Sequence, residues 1–110
     1  MSIYNLDSRA IQSLMKMGGK KKLDTLIELF KDQGPARVQE LLNASHLSEA
    51  QAAARVLKTS ASHLGLSVLE DLCDQVLEAQ QWSAGSALAQ QIQASYPLAL
   101  SALLAERNRI

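Results

Sequence analysis

The chain has 110 residues, enough for one hydrophobic core and not for two, so a single domain spanning residues 1–110 is expected. Apolar residues make up 47%, which argues against disorder; only 4% are aromatic, and the many Ala, Leu, Gln, Glu and Lys favour helix, because these side chains lose little rotamer freedom in one. Eleven bases balance eleven acids, whereas nucleic-acid binders carry a basic excess, so nucleic acid is not an expected partner.

The first helix is expected over residues 7–17, with Asp7 as N-cap and Ile11, Leu14 and Met15 on one face. Gly18 and Gly19 should end it. A second helix carries Leu23, Leu26, Ile27 and Phe30, then Val38, Leu41 and Leu42, with a kink or short break expected at Gly34-Pro35. The third helix should begin at Ser48, which with Gln51 three residues on has the spacing of a capping box, and should reach Leu64, where Gly65 can turn the chain. A fourth carries Leu69, Leu72, Cys73 and Val76, up to about residue 80. A fifth, starting near Ser83, carries Leu88, Ile92, Tyr96, Leu100, Leu103 and Leu104, bent at Pro97. The expected fold is all-α: four long antiparallel helices in a bundle, a short extra helix at the N-terminus and no β-sheet. Leu57, Leu64, Leu69 and Cys73 are expected in the core between the third and fourth helices.

No apolar run approaches the roughly 20 residues of a membrane span. Residues 1–5 show no basic start followed by an apolar stretch, so no signal peptide is expected, and the expected location is cytoplasmic with no membrane contact. Cys73 is the only cysteine and has no partner for an internal disulfide. His46, His63 and Cys73 lack metal-ligand spacing, so neither a metal nor another cofactor is expected. His46 reads as a loop histidine, Trp82 as a cap on the bundle, and Lys20-Lys21-Lys22 as a solvated run able to steer an acidic partner.

At about 100° per residue, Ala50, Ala53, Leu57, Ser60, Ala61 and Leu64 collect on one side of the third helix. Ser48, Gln51, Arg55, Lys58, Thr59 and Ser62 collect on the other. Arg55 stands mid-face, with Lys58 and Thr59 one turn on. Physics alone gives a solvated polar stripe holding two cations.

Segment 54–66 reads Ala-Arg-Val-Leu-Lys-Thr-Ser-Ala-Ser-His-Leu-Gly-Leu. It resembles the signature of histidine-phosphotransfer (HPt) domains, Ala-His-x-Leu-Lys-Gly-Ser-Ala-x-Asn-Leu-Gly-Ala/Leu. Upstream, Leu26, Ile27, Phe30, Arg37, Leu41 and Ala44 resemble the family's preceding helix. Downstream, Leu69, Cys73 and Val76 fit the helix that packs beside the signature. The resemblance covers most of the chain from about residue 6 to 104 and implies an HPt-like four-helix bundle.

Two departures fall at the implied functional centre. Arg55 occupies the place of the phosphorylatable histidine. A neutral imidazole has a nucleophilic nitrogen near neutral pH, whereas guanidinium stays protonated to a pKa above about 12 and only donates hydrogen bonds. Thr59 replaces the glycine that leaves room beside the histidine. Lys58 keeps the place of the family's lysine, where with no phosphohistidine to support its charge serves to orient an acidic partner.

The resemblance with these departures implies a non-enzymatic, pseudo-HPt binding module of two-component phosphorelay signalling, whose partner is a response-regulator receiver or a histidine kinase. Gln51, Arg55, Lys58, Thr59, Ser62 and Leu77 are the candidate docking residues, Leu77 because the matching family position is usually polar. One alternative is phosphotransfer through a relocated acceptor, His63, which stands where the signature has asparagine and reads otherwise as a half-buried histidine near a helix end. Another is a structural bundle with an unrelated protein partner.

Overall fold

The computed structural model describes residues 6–110; the expectation made for residues 1–5 lies outside the described residues. Four helices follow in order: α1 (Ser8–Asn43), α2 (Leu47–His63), α3 (Ser67–Glu78) and α4 (Ala87–Arg109). Among the described residues there is no strand, only an isolated antiparallel bridge between Leu6 and Leu66. No helix of the described residues is long and apolar enough to cross a membrane.

As a straight rod, the 36 residues of α1 would span about 54 Å at 1.5 Å each, beyond the 41 Å longest extent of the molecule. The chain bends at Gly19, whose φ of 68° and ψ of −163° are open to glycine but not to most residues. An N-terminal arm, capped by the Asp7 carboxylate accepting from the Arg9 N–H at 3.0 Å, therefore precedes the long arm. The short first helix expected before Gly18 is this arm. Of the kink or short break expected at Gly34-Pro35, the break does not occur: Gly19 is the one residue inside α1 with non-helical geometry, and the helix runs on through Pro35. A reason lies across the bundle. Gly34 is buried where a Cβ would overlap the Tyr96 ring, and the Tyr96 hydroxyl donates to the Phe30 carbonyl at 2.5 Å. The Phe30 and Tyr96 rings lie 4.7 Å apart, so the proline turn is held by α4.

The start of α2 also differs from expectation. It begins at Leu47 with His46 in the N-cap position and no side-chain cap, so Ser48 and Gln51 form no capping box. Gln51 instead donates to the carbonyls of Leu77, at 3.1 Å, and Val76, at 3.5 Å. These belong to the last turn of α3, whose carbonyls have no partner within their own helix. At the other end of α2, Gly65 takes a φ of 72°, and any Cβ there would meet the Asp7 carbonyl at 2.5 Å. The Asp7 N–H donates to the Gly65 carbonyl at 2.8 Å, which ties the start of α1 to the α2–α3 turn.

α3 ends at Glu78, and α4 begins at Ala87 rather than near Ser83. Gly85 turns the chain with φ 73° and donates to the Leu42 carbonyl, and the Ser86 hydroxyl then accepts from the Ala89 N–H at 3.3 Å. Pro97 lies within α4 without interrupting it.

α1 packs on α2 and α4, and α3 packs on α2 and α4, so the helices follow one another around a central core. Helices that lie side by side on connections this short must run in opposite directions. Leu57 and Leu64 of the α2 end, with Leu69 and Cys73 of α3, are buried as expected, and they meet Leu23, Phe30 and Leu41 of α1 and Ile92 and Leu103 of α4. Burial pushes the Cys73 thiol up to about 12. Arg107 of α4 closes the opposite side with a two-pronged bond to Asp24 of α1, at 2.7 and 3.1 Å.

Candidate functional site

The outer side of α2 follows from the spacing of its small residues. Ala50, Ala53, Ala54, Leu57 and Ala61 are buried, which leaves Arg55, Val56, Thr59 and Ser62 facing solvent. Small side chains let α1 and α3 come close on either flank, so this face is bordered by side chains of both neighbours.

Among the described residues no carboxylate pairs with the Arg55 guanidinium. Lys58 behaves differently. Its ammonium lies 2.5 Å from the Asp74 carboxylate of α3, whose hydrogen bond, and then its charge, hold Lys58 above the usual lysine range. Lys58 therefore meets an acidic partner with its charge partly countered by Asp74 within the chain. The Thr59 hydroxyl donates to the Arg55 carbonyl one turn back, at 3.0 Å, so its proton is committed too.

Gln51 and Leu77 come together, but as parts of one helix junction. Gln51 is half-buried with its amide on the Leu77 carbonyl, and the half-buried Leu77 side chain packs against the core. Ser62 is exposed one turn beyond Lys58. His63 is exposed as well, not half-buried, because it falls at the last position of α2, just before the buried Leu64. Trp82 is half-buried against the core at the α3–α4 connection, with its indole N–H buried and without an acceptor among the described residues. Among the described residues no group of three or more His, Cys, Asp or Glu is placed to hold a metal.

The structure adds residues that the helical wheel of α2 alone did not single out. Leu29 of α1 and Val56 of α2, 45% and 41% exposed, line one shallow crevice with Gln33, Gly34, Arg37 and Ser60. Arg37 reaches Glu40 at 3.1 Å through one terminal nitrogen, while its buried Nε has no acceptor among the described residues. The crevice thus combines two exposed apolar side chains with a second, partly satisfied arginine, and Val56 directly follows Arg55 in α2. A signal for this was present in the chain: Leu29 and Val56 are apolar residues outside the buried stripes of their helices.

No protein-family model, no curated protein and no solved structure matches this chain.

Proposed function

We propose that this chain is a non-phosphorylatable HPt-like binding module, which docks a receiver or kinase partner of two-component signalling without transferring phosphate. The observation that carries the reading is the exposed Arg55, unpaired among the described residues, in the middle of the outer face of a helix whose sequence resembles the HPt signature. A guanidinium there pairs two donors at once with the carboxylates or phosphoryl oxygens of a receiver's acidic pocket. The exposed Leu29 and Val56 offer a partner apolar surface on the α1 and α2 side of the same face. A module of this kind holds a receiver away from true phosphodonors.

The test is a binding screen of the purified chain against the receivers and kinases of its own genome. The expected result is capture of one or a few receivers with no phosphoryl group left on the chain. Binding to none of them, with the chain folded, supports an unrelated partner instead.

The exposure of His63 favours one second reading, in which phosphotransfer runs through this relocated acceptor. His63 lies about 80° round α2 from Arg55 and about 12 Å along it, so a receiver would have to dock in a different register. An acid-labile phosphoryl group after incubation with phosphorylated receiver, lost in His63→Ala, is the signature of that reading.

A further inference from the structure

Residues 8–23 carry five cations, Arg9, Lys16, Lys20, Lys21 and Lys22, and no acid. They form the N-terminal arm of α1, the bend at Gly19 and the first turn of the long arm. Arg9 meets Asp7 at 3.4 Å, whereas the four lysines are exposed and form no ion pair among the described residues. Asp24, the next acid along the chain, is already bound by Arg107 and draws Lys20 only from one turn away. Lys20, Lys21 and Lys22 open the long arm, where the helix dipole favours acids, so the run works against the stability of the fold. Where a local choice does that, a functional contact is the usual reason.

Two apolar features accompany the charge. Met17, between Lys16 and the bend, is 71% exposed, more than any other large apolar side chain of the described residues. Beside it, Ile11, Met15 and Ile110 line a crevice of about 410 Å³ between the arm and the end of α4, with Lys16, Arg109 and Glu106 also on its walls. The Glu106 carboxylate is held there by Arg109.

We propose that this end of the bundle binds peripherally to a membrane surface rich in anionic phospholipid. Lys16, Lys20, Lys21 and Lys22 meet the headgroup phosphates, and Met17 enters the boundary between headgroups and acyl chains. The chain is neutral overall, but attraction to a charged leaflet acts only within a Debye length, about 10 Å. Glu40, Glu49 and Glu78 stand at the end of α1, the start of α2 and the end of α3, at the other end of a molecule 41 Å long, and are screened from such a surface. A nucleic acid would offer the lysines the same phosphate charge but no apolar phase for Met17 or the crevice; a phospholipid supplies both. This contact needs no spanning segment, so it is compatible with described helices that could not cross a membrane. It does not rest on α2 binding a receiver.

Co-sedimentation of the intact chain with vesicles of phosphatidylcholine, alone or with about 30% phosphatidylserine, tests it. The expected result is binding to the charged vesicles only, lost as salt rises from about 0.05 to about 0.5 M. The triple variant Lys20→Gln, Lys21→Gln, Lys22→Gln should bind on the order of 100-fold more weakly, with a Tm no lower than the parent's. Met17→Ser should weaken binding by roughly 10-fold and leave its salt dependence in place. Lys31→Gln, further along α1 and paired with Glu28, should bind like the parent. No receiver is present, so failure here is distinct from failure of the receiver reading. A folded parent that stays in solution beside charged vesicles, or binding unaffected by the triple change or by Met17→Ser, overturns the inference. Capture by duplex DNA in place of vesicles overturns it too and gives the lysines to a nucleic acid.

Discussion

The Lys58 ammonium sits 2.5 Å from the Asp74 carboxylate, and that pairing divides the two cations of the α2 face between different tasks. Lys58 joins α2 to α3. Arg55, one turn earlier, has no carboxylate partner among the described residues and keeps its charge for something outside the chain. Both groups of the Lys58 pair are about one-third exposed, so removing it by Asp74→Asn should leave stability close to that of the parent. The same substitution frees Lys58, so binding to an acidic receiver should tighten at low salt and show a steeper salt dependence. Affinity titrations at two ionic strengths check this; an unchanged salt dependence contradicts it.

Leu57 is buried at the centre of α2, so Leu57→Ala should cost about 2–5 kcal/mol through lost transfer energy plus a cavity. Reversible urea unfolding measures it. A loss below about 1 kcal/mol, the scale of a surface site, contradicts the helix register.

Gly34 and Tyr96 should behave as one unit. Gly34→Ala drives a methyl group into the tyrosine ring and should destabilise by about 1–3 kcal/mol. Tyr96→Leu removes both the ring and the hydroxyl bond to Phe30. If the contact is as described, the double variant is more stable than the sum of the single losses requires, and a double-mutant cycle reads the difference. Strict additivity argues against it.

Alkaline pH should loosen the bundle. Burial pushes Cys73 and Tyr96 each up to about 12, the latter helped by the Asp32 charge, from ordinary values of 9.0 and 10.0. Both groups hold their protons more tightly when folded, so their contribution is fully present below pH 9.0 and is lost as pH rises toward 12. The urea midpoint should be lower at about pH 10.5 than at about pH 8, and Cys73→Ala should shrink that difference. A midpoint that rises over this interval contradicts the burial of both groups.

Much of the fold is legible in the chain because it is set locally. Asp7 caps the helix that follows it, Gly65 stops the one before it, and the 3.6-residue spacing of Leu23, Ile27 and Phe30, or of Ala50, Ala53 and Leu57, marks the buried stripes. What the local pattern does not carry is set between helices. Ser48 and Gln51 have the spacing of a capping box, yet the Gln51 amide goes to a carbonyl 26 residues away, because the end of α3 offers a half-buried acceptor that a solvated cap does not match. Gly34-Pro35 reads as a kink or short break, yet the helix continues and Tyr96 packs into the space the glycine leaves. At the site, the exposure of Arg55 follows from the wheel, but the loss of Lys58 to Asp74 and the crevice joining Leu29 to Val56 depend on which helices become neighbours.

The central claim is that Arg55 is a docking residue, and the affinity of the Arg55→Glu variant for a receiver domain bound by the parent tests it most directly. The substitution reverses a charge on the solvent side of α2 and leaves the buried side untouched, so unfolding free energy should stay within about 0.5 kcal/mol of the parent. Titration calorimetry should show receiver binding weakened by about 2–5 kcal/mol, roughly 30-fold to several thousand-fold. An Arg55→Glu variant that binds the receiver as tightly as the parent contradicts the account.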